Sequence, residues 1–77
     1  MNPVVKNIES IRKQKRMTMK EIADYCGKTI PWYADIAKGR RRIYLDDMLL
    51  IAEAMKEEPS IFFASQLSFA LSVKKSA

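Results

Sequence analysis

The chain is predicted to be all-α, a single domain of five helices ending in a long C-terminal helix. Three observations predict it. Apolar residues recur at three- and four-residue spacing along nearly the whole chain. No stretch alternates with the period of two that a half-buried strand needs. Helix-starting residues (Thr18, Thr29) and helix-stopping residues (Gly27, Gly39) punctuate that pattern at short intervals.

The first helix is expected over residues 4–16, with Val4, Ile8 and Ile11 on one face and a polar break at Lys13–Arg16. The second runs over 19–26. Thr18 and Glu21 have the spacing of a capping box, Met19, Ile22, Ala23 and Cys26 form its apolar side, and Gly27 accepts the left-handed backbone that stops it. The third, over 30–38, follows Thr29 as N-cap with Pro31 in the first turn, where a missing N–H costs little. Tyr33 and Ile36 face inward and Gly39 closes it. Arg40–Tyr44 reads as a basic loop. Asp46 and Asp47 favour the start of a fourth helix over 45–56, with Leu45, Met48, Leu49, Ala52 and Met55 as its stripe. Glu57, Glu58 and Pro59 interrupt, and residues 60–73 complete the set as an apolar-rich fifth helix.

Seventy-seven residues suffice for one domain with a thin core, so oligomerisation is a natural supplement. The formal net charge is +5 and its placement is uneven. Residues 1–42 carry eleven Lys and Arg against four acids, whereas residues 43–77 carry three Lys against five. An excess of this kind attracts a polyanion, phosphate backbones above all. The apolar runs are too short to span a bilayer, so no membrane association is expected. The lone Cys26 excludes an internal disulfide and suits a reducing cytoplasm.

Catalysis is not expected. The chain has no histidine, the usual general base. Cys26 lies on the inward side of its helix as a small packing residue. Asp46 and Asp47 are helical neighbours about 100° apart and cannot share a substrate or a metal. No phosphate-binding glycine loop and no zinc-ligand spacing occurs, so neither cofactor nor metal is expected.

The segment from Ile8 to about Phe63 resembles the phage repressor and Cro type of helix-turn-helix domain, the XRE-like family. The resemblance rests on Thr18-x-x-Glu21-Ile22-Ala23, the turn at Gly27, the exit Ile36-x-x-Gly39-Arg40-Arg41, and the helix from Leu45 to Ala54, taken in order and spacing. It implies a five-helix lambda-repressor-like domain with a core at about 8–58. It also implies a DNA-binding transcriptional repressor, of phage or mobile-element type, acting in the cytoplasm. In this architecture the second helix of the motif enters the major groove by its N-terminal end. Base contacts then fall to Thr29, Ile30, Pro31 and Asp35. Ile30 and Pro31 suit thymine methyl groups, and Asp35 can accept from cytosine N4. Backbone contacts fall to Lys20, Lys28, Trp32, Lys38, Arg40, Arg41 and Arg42.

Four positions depart from the family pattern. Met19 stands where a phosphate-contacting Gln is common, and Ile30–Pro31 replace polar residues at the head of the reading helix. Ala37 occupies the place of a Glu that pairs with an Arg on the first helix, so Arg12 must face solvent, DNA or another acid. One reading helix covers few base pairs, and the family dimerises on half-sites ~34 Å apart. A homodimer is expected, through Phe62, Leu67, Phe69 and Val73 on the last helix. Two further partnerships suit the sequence. One is an antitoxin gripping a toxin. The other is a protein-interaction module that uses the apolar tip Ile30–Pro31–Trp32 without DNA.

Overall fold

The computed structural model describes residues 2–64. Among these residues the elements are α1 (Pro3–Gln14), α2 (Met19–Tyr25), α3 (Ile30–Ala37), α4 (Leu45–Met55) and a 3-10 helix (Pro59–Phe63), with no strand.

Each helix starts where a side chain can satisfy free N–H groups. The Asn2 side chain accepts from the Val4 N–H at 2.8 Å, with Pro3 in the first turn of α1. Thr18 accepts from the Glu21 N–H at 3.0 Å while Glu21 accepts from the Thr18 N–H at 2.7 Å, completing the capping box of α2. Thr29 accepts from the Trp32 N–H at 3.3 Å at the head of α3. At α4 the carboxylate of Asp47 reaches back to the Tyr44 N–H at 3.0 Å, which explains a buried acid in a helix first turn.

The helices also end alike. After each, one residue takes a left-handed backbone: Arg16 (φ 57°), Gly27 (φ 70°), Gly39 (φ 74°) and Lys56 (φ 58°). Each donates to the carbonyl three residues back, and the next residue donates to the carbonyl five back, as in Met17 N–H to Arg12 O at 3.0 Å and Arg40 N–H to Asp35 O at 2.8 Å. These are Schellman ends. They turn the chain sharply and let four short helices pack around one core.

That core takes Val5, Ile8 and Ile11 from α1, Ile22, Ala23 and Cys26 from the α2 side, and Tyr33 and Ile36 from α3. Ile51 and Met55 of α4 close it with Ile61 and Phe62. The inward stripe of α4 differs from expectation. It is centred on Ile51 and Met55, and it leaves Leu45 and Leu49 exposed.

The tail differs more. Residues 60–63, expected to open a long α-helix, form the 3-10 turn that packs on α1 and α4. The Asn7 side-chain amide fastens it, donating to the carbonyls of Phe62 at 2.8 Å and Ala64 at 2.7 Å. Ala64 leaves it with extended backbone. Phe62, assigned to a dimer surface by sequence, is wholly buried because this turn drives its ring into the core, and its neighbour Phe63 is the exposed one. Leu67, Phe69 and Val73 lie outside the described residues. No helix among the described residues is long and apolar enough to cross a membrane.

Candidate nucleic-acid interface

The α2–turn–α3 unit sets the outer surface of α3. Tyr33 and Ile36 point into the core as expected, while Thr29, Ile30 and Pro31 are exposed and Ala34 and Asp35 half-exposed. Of the four expected base-reading residues, three thus lie open at the N-terminal end of α3. Asp35 sits one turn further along.

Trp32 is corrected from an exposed DNA contact to a packing residue, only 8% exposed. Its position explains this. Trp32 and Ile36 are four residues apart, as are Tyr33 and Ala37, and all four are buried. The inward arc of α3 therefore takes half its residues, because α3 is wedged between α2 and α1. The Trp32 ring lies tilted against Tyr33, centroids 6.4 Å apart. The Lys28 ammonium sits 5.9 Å from the Trp32 centroid, within cation–π range. Burial of Trp32 also removes the aromatic from the apolar tip, which leaves Ile30 and Pro31 as its outer residues.

The cations expected on the backbone divide into two groups. Lys20 is held by Asp24 at 2.6 Å on the exposed side of α2, a pair that keeps its ammonium protonated beyond the ordinary lysine range. Arg40 lies 3.9 Å from Asp35. Lys38, Arg41 and Arg42 are exposed, with no carboxylate within salt-bridge distance among the described residues. The Asp35 carbonyl accepts from both the Arg40 and Arg41 N–H groups, at 2.8 and 3.2 Å, and so fixes where the arginine loop leaves α3.

Two concavities adjoin this exit. A cleft on one side is lined by the loop Gly39–Ile43 and by Asn2 and Val5 of the α1 start. A groove on the other is lined by Lys6, Glu9, Ser10 and Lys13 of α1 and Ala37 of α3. The α1 lysines were not among the residues singled out from sequence. The available signal was their seven-residue spacing, which puts Lys6 and Lys13 on one helix face.

At the wall of the groove lies a partly buried polar cluster. Arg12 donates to both Glu9 carboxylate oxygens, at 2.8 and 2.9 Å, and to the Met17 carbonyl at 2.9 Å. The Tyr33 hydroxyl donates to Glu9 Oε2 at 2.8 Å. Arg12 thus finds another acid, on its own helix, in place of the partner that Ala37 cannot supply. The Arg12 hydrogen bond holds the Glu9 carboxyl below its ordinary range against the opposing cost of burial, with Tyr33 assisting. Burial, then the bond to Glu9, pushes the Tyr33 phenol well above its ordinary value. Burial likewise raises the Cys26 thiol, in keeping with a packing role. No cluster of metal-ligating side chains occurs among the described residues.

A helix-turn-helix family model matches residues 8–62. No curated protein and no solved structure matches the chain significantly. The matched span takes in α2, the Gly27 turn, α3, the arginine loop and α4, the same elements whose order and geometry are described above. The chain belongs to the XRE-like helix-turn-helix family, a family of DNA-binding regulatory domains.

Proposed function

We propose that this protein is a sequence-specific DNA-binding transcription regulator, a repressor that acts by occupying its site. The N-terminal end of α3 enters the major groove. Ile30 and Pro31 pack on thymine methyl groups, and Thr29 offers its methyl or its hydroxyl proton to a neighbouring base. Asp35, further along, is positioned for cytosine N4. Arg41, Arg42 and Lys38 grip phosphates beside the groove, while Lys20, Lys28 and Arg40 reach them by exchanging or extending their present contacts. A homodimer supplies two α3 helices to successive half-sites, ~34 Å apart.

The observation that carries this reading is the pairing of an exposed α3 start with exposed cations at the α3 exit that have no carboxylate within salt-bridge distance. Apolar base contacts select sequence, and arginines fix register without selecting it. The test is enrichment of bound duplexes from random DNA at physiological salt, followed by titration of the selected site. With roughly six phosphates neutralised by each subunit, log K should fall with log salt at a slope near −5 per subunit, about twice that for the dimer. A salt-independent affinity, or no enriched sequence, would overturn the reading. Sedimentation at micromolar concentration tests the dimer, and a strict monomer both free and on DNA would exclude it.

A further inference from the structure

We infer that Lys6 and Lys13 of α1 bind the sugar–phosphate backbone of the duplex, so that the interface runs from the α3 exit onto the first helix; this rests on the DNA-binding reading.

Several of the cations are already engaged by acids. Among the described residues, Arg12 is paired with Glu9, Lys15 with Glu57 at 3.0 Å, Lys20 with Asp24, and Arg40, more loosely, with Asp35. Lys6 and Lys13 are exposed and have no carboxylate within salt-bridge distance. They flank one groove, with the hydroxyl-bearing Ser10 between them and Ala37 of α3 on the opposite wall. Ala37 is followed directly by Lys38 and the arginine loop, and that loop borders the α1 start through the second cleft. The unengaged cations of α1 and of the α3 exit are therefore neighbours: Lys6 and Lys13 line the groove that Ala37 closes, and Arg41 and Arg42 line the cleft that Asn2 and Val5 close.

The one acid lining the groove does not oppose a polyanion. Both Glu9 carboxylate oxygens are taken by Arg12, and one also accepts from Tyr33, so its charge is neutralised from within. The spacing also fits. Seven residues of α-helix separate the lysine Cα atoms by ~10 Å along the axis. One strand of B-DNA advances ~3.4 Å per phosphate. Two flexible ammonium groups at that separation reach different phosphates of one strand, and Ala37, lacking a bulky side chain, leaves the groove open to them.

The experiment compares two double variants that remove equal charge. Lys6→Gln with Lys13→Gln removes the proposed contacts. Lys15→Gln with Lys56→Gln removes two cations that lie beside Glu57, the first bonded to it and the second its chain neighbour. Binding to a selected duplex and to a scrambled one is titrated against salt, with circular dichroism melting to confirm folding. The first variant should lose about 2 from the magnitude of the salt slope for each subunit bound, about 4 for the dimer, and weaken both duplexes by the same factor. The second should keep the wild-type slope. Equal slope changes in the two variants, an unchanged slope in the first, or a first variant weakened only on the selected duplex would each overturn the assignment. Wild-type protein that binds neither duplex in a salt-dependent way would instead refute the DNA-binding reading, and this inference with it.

Discussion

The carboxylate of Glu9 joins three parts of the molecule. It sits on α1, receives the Tyr33 hydroxyl from α3, and is gripped by Arg12, which also holds the Met17 carbonyl at the entry to α2. The Tyr33–Glu9 bond therefore adds one charged contact to the apolar packing of α3 against α1. Hydrogen bonds to a charged group contribute roughly 1.5–3 kcal/mol each when buried. The Glu9 and Arg12 side chains are only 17% and 14% exposed, so solvent screens this pair little. Glu9→Gln should lower folding stability by about 2 kcal/mol near neutral pH, measured by urea unfolding. The pH dependence has a definite sign. The folded-state pKa lies below the ordinary 4.5, so the folded state binds fewer protons than the unfolded chain between the two values. The contribution is complete above about that ordinary value and fades as pH falls through the folded one. The gap between wild type and Glu9→Gln should therefore narrow in acid, and a constant gap down to pH ~2.5 would exclude the linkage. Tyr33→Phe, which keeps the ring, should cost about 1 kcal/mol. Residue by residue, the sequence was legible where one neighbour decided the outcome. The alanine at position 37 showed that Arg12 had to face solvent, DNA or another acid. It did not show which one, because Glu9 and Tyr33 meet only after α1 and α3 pack. Trp32 was misread for the same reason, since two helices rather than one cover that side of α3.

Among the elements, the four Schellman ends show what sequence can and cannot announce. Gly27 and Gly39 were readable as stops, since glycine takes a left-handed backbone freely. Arg16 and Lys56 adopt the same conformation without that advantage, and the first and fourth helices were accordingly expected to run one or two residues too far. A non-glycine residue there carries a strain of ~1–2 kcal/mol, partly offset because glycine gains more freedom when unfolded. Lys56→Gly should stabilise the fold by ~0.5–1 kcal/mol, seen as a rise in Tm; a fall would mean the Lys56 side chain contributes packing or charge that outweighs its strain. Gly39→Ala should act the opposite way, by about 1 kcal/mol. Nothing lies within 4 Å of the added Cβ, so that cost is conformational alone. The 3-10 turn was not legible. Apolar spacing over residues 60–63 fits an α-helix equally well, and the Asn7 amide that fastens the turn comes from the far end of the chain.

For the molecule as a whole, the legible feature was charge. Its uneven distribution along the sequence carries into the fold, where the α1 groove and the α3 exit gather Lys6, Lys13, Lys38, Arg41 and Arg42. Which of these cations were already matched by acids required the packed structure. The consequence is a pair of opposite salt effects. In the free protein these cations repel one another across a small surface, and that repulsion opposes folding. Added salt screens it, since the Debye length shrinks from ~10 Å at 0.1 M to a few ångströms near 1 M. Tm of the free protein should rise by a few degrees between 50 and 500 mM sodium chloride, equivalent to somewhat under 1 kcal/mol. Over the same range DNA affinity should fall steeply as displaced counterions lose their entropic advantage. The Lys6→Gln, Lys13→Gln variant separates the two causes, because removing the repulsion and removing the phosphate contacts act on different states. Its free-protein Tm at low salt should stand above wild type and its Tm should climb less with salt, while its affinity for DNA is lower. A variant that loses both low-salt Tm and affinity would show that these lysines support the fold, and the five cations would then have to be read as part of its framework.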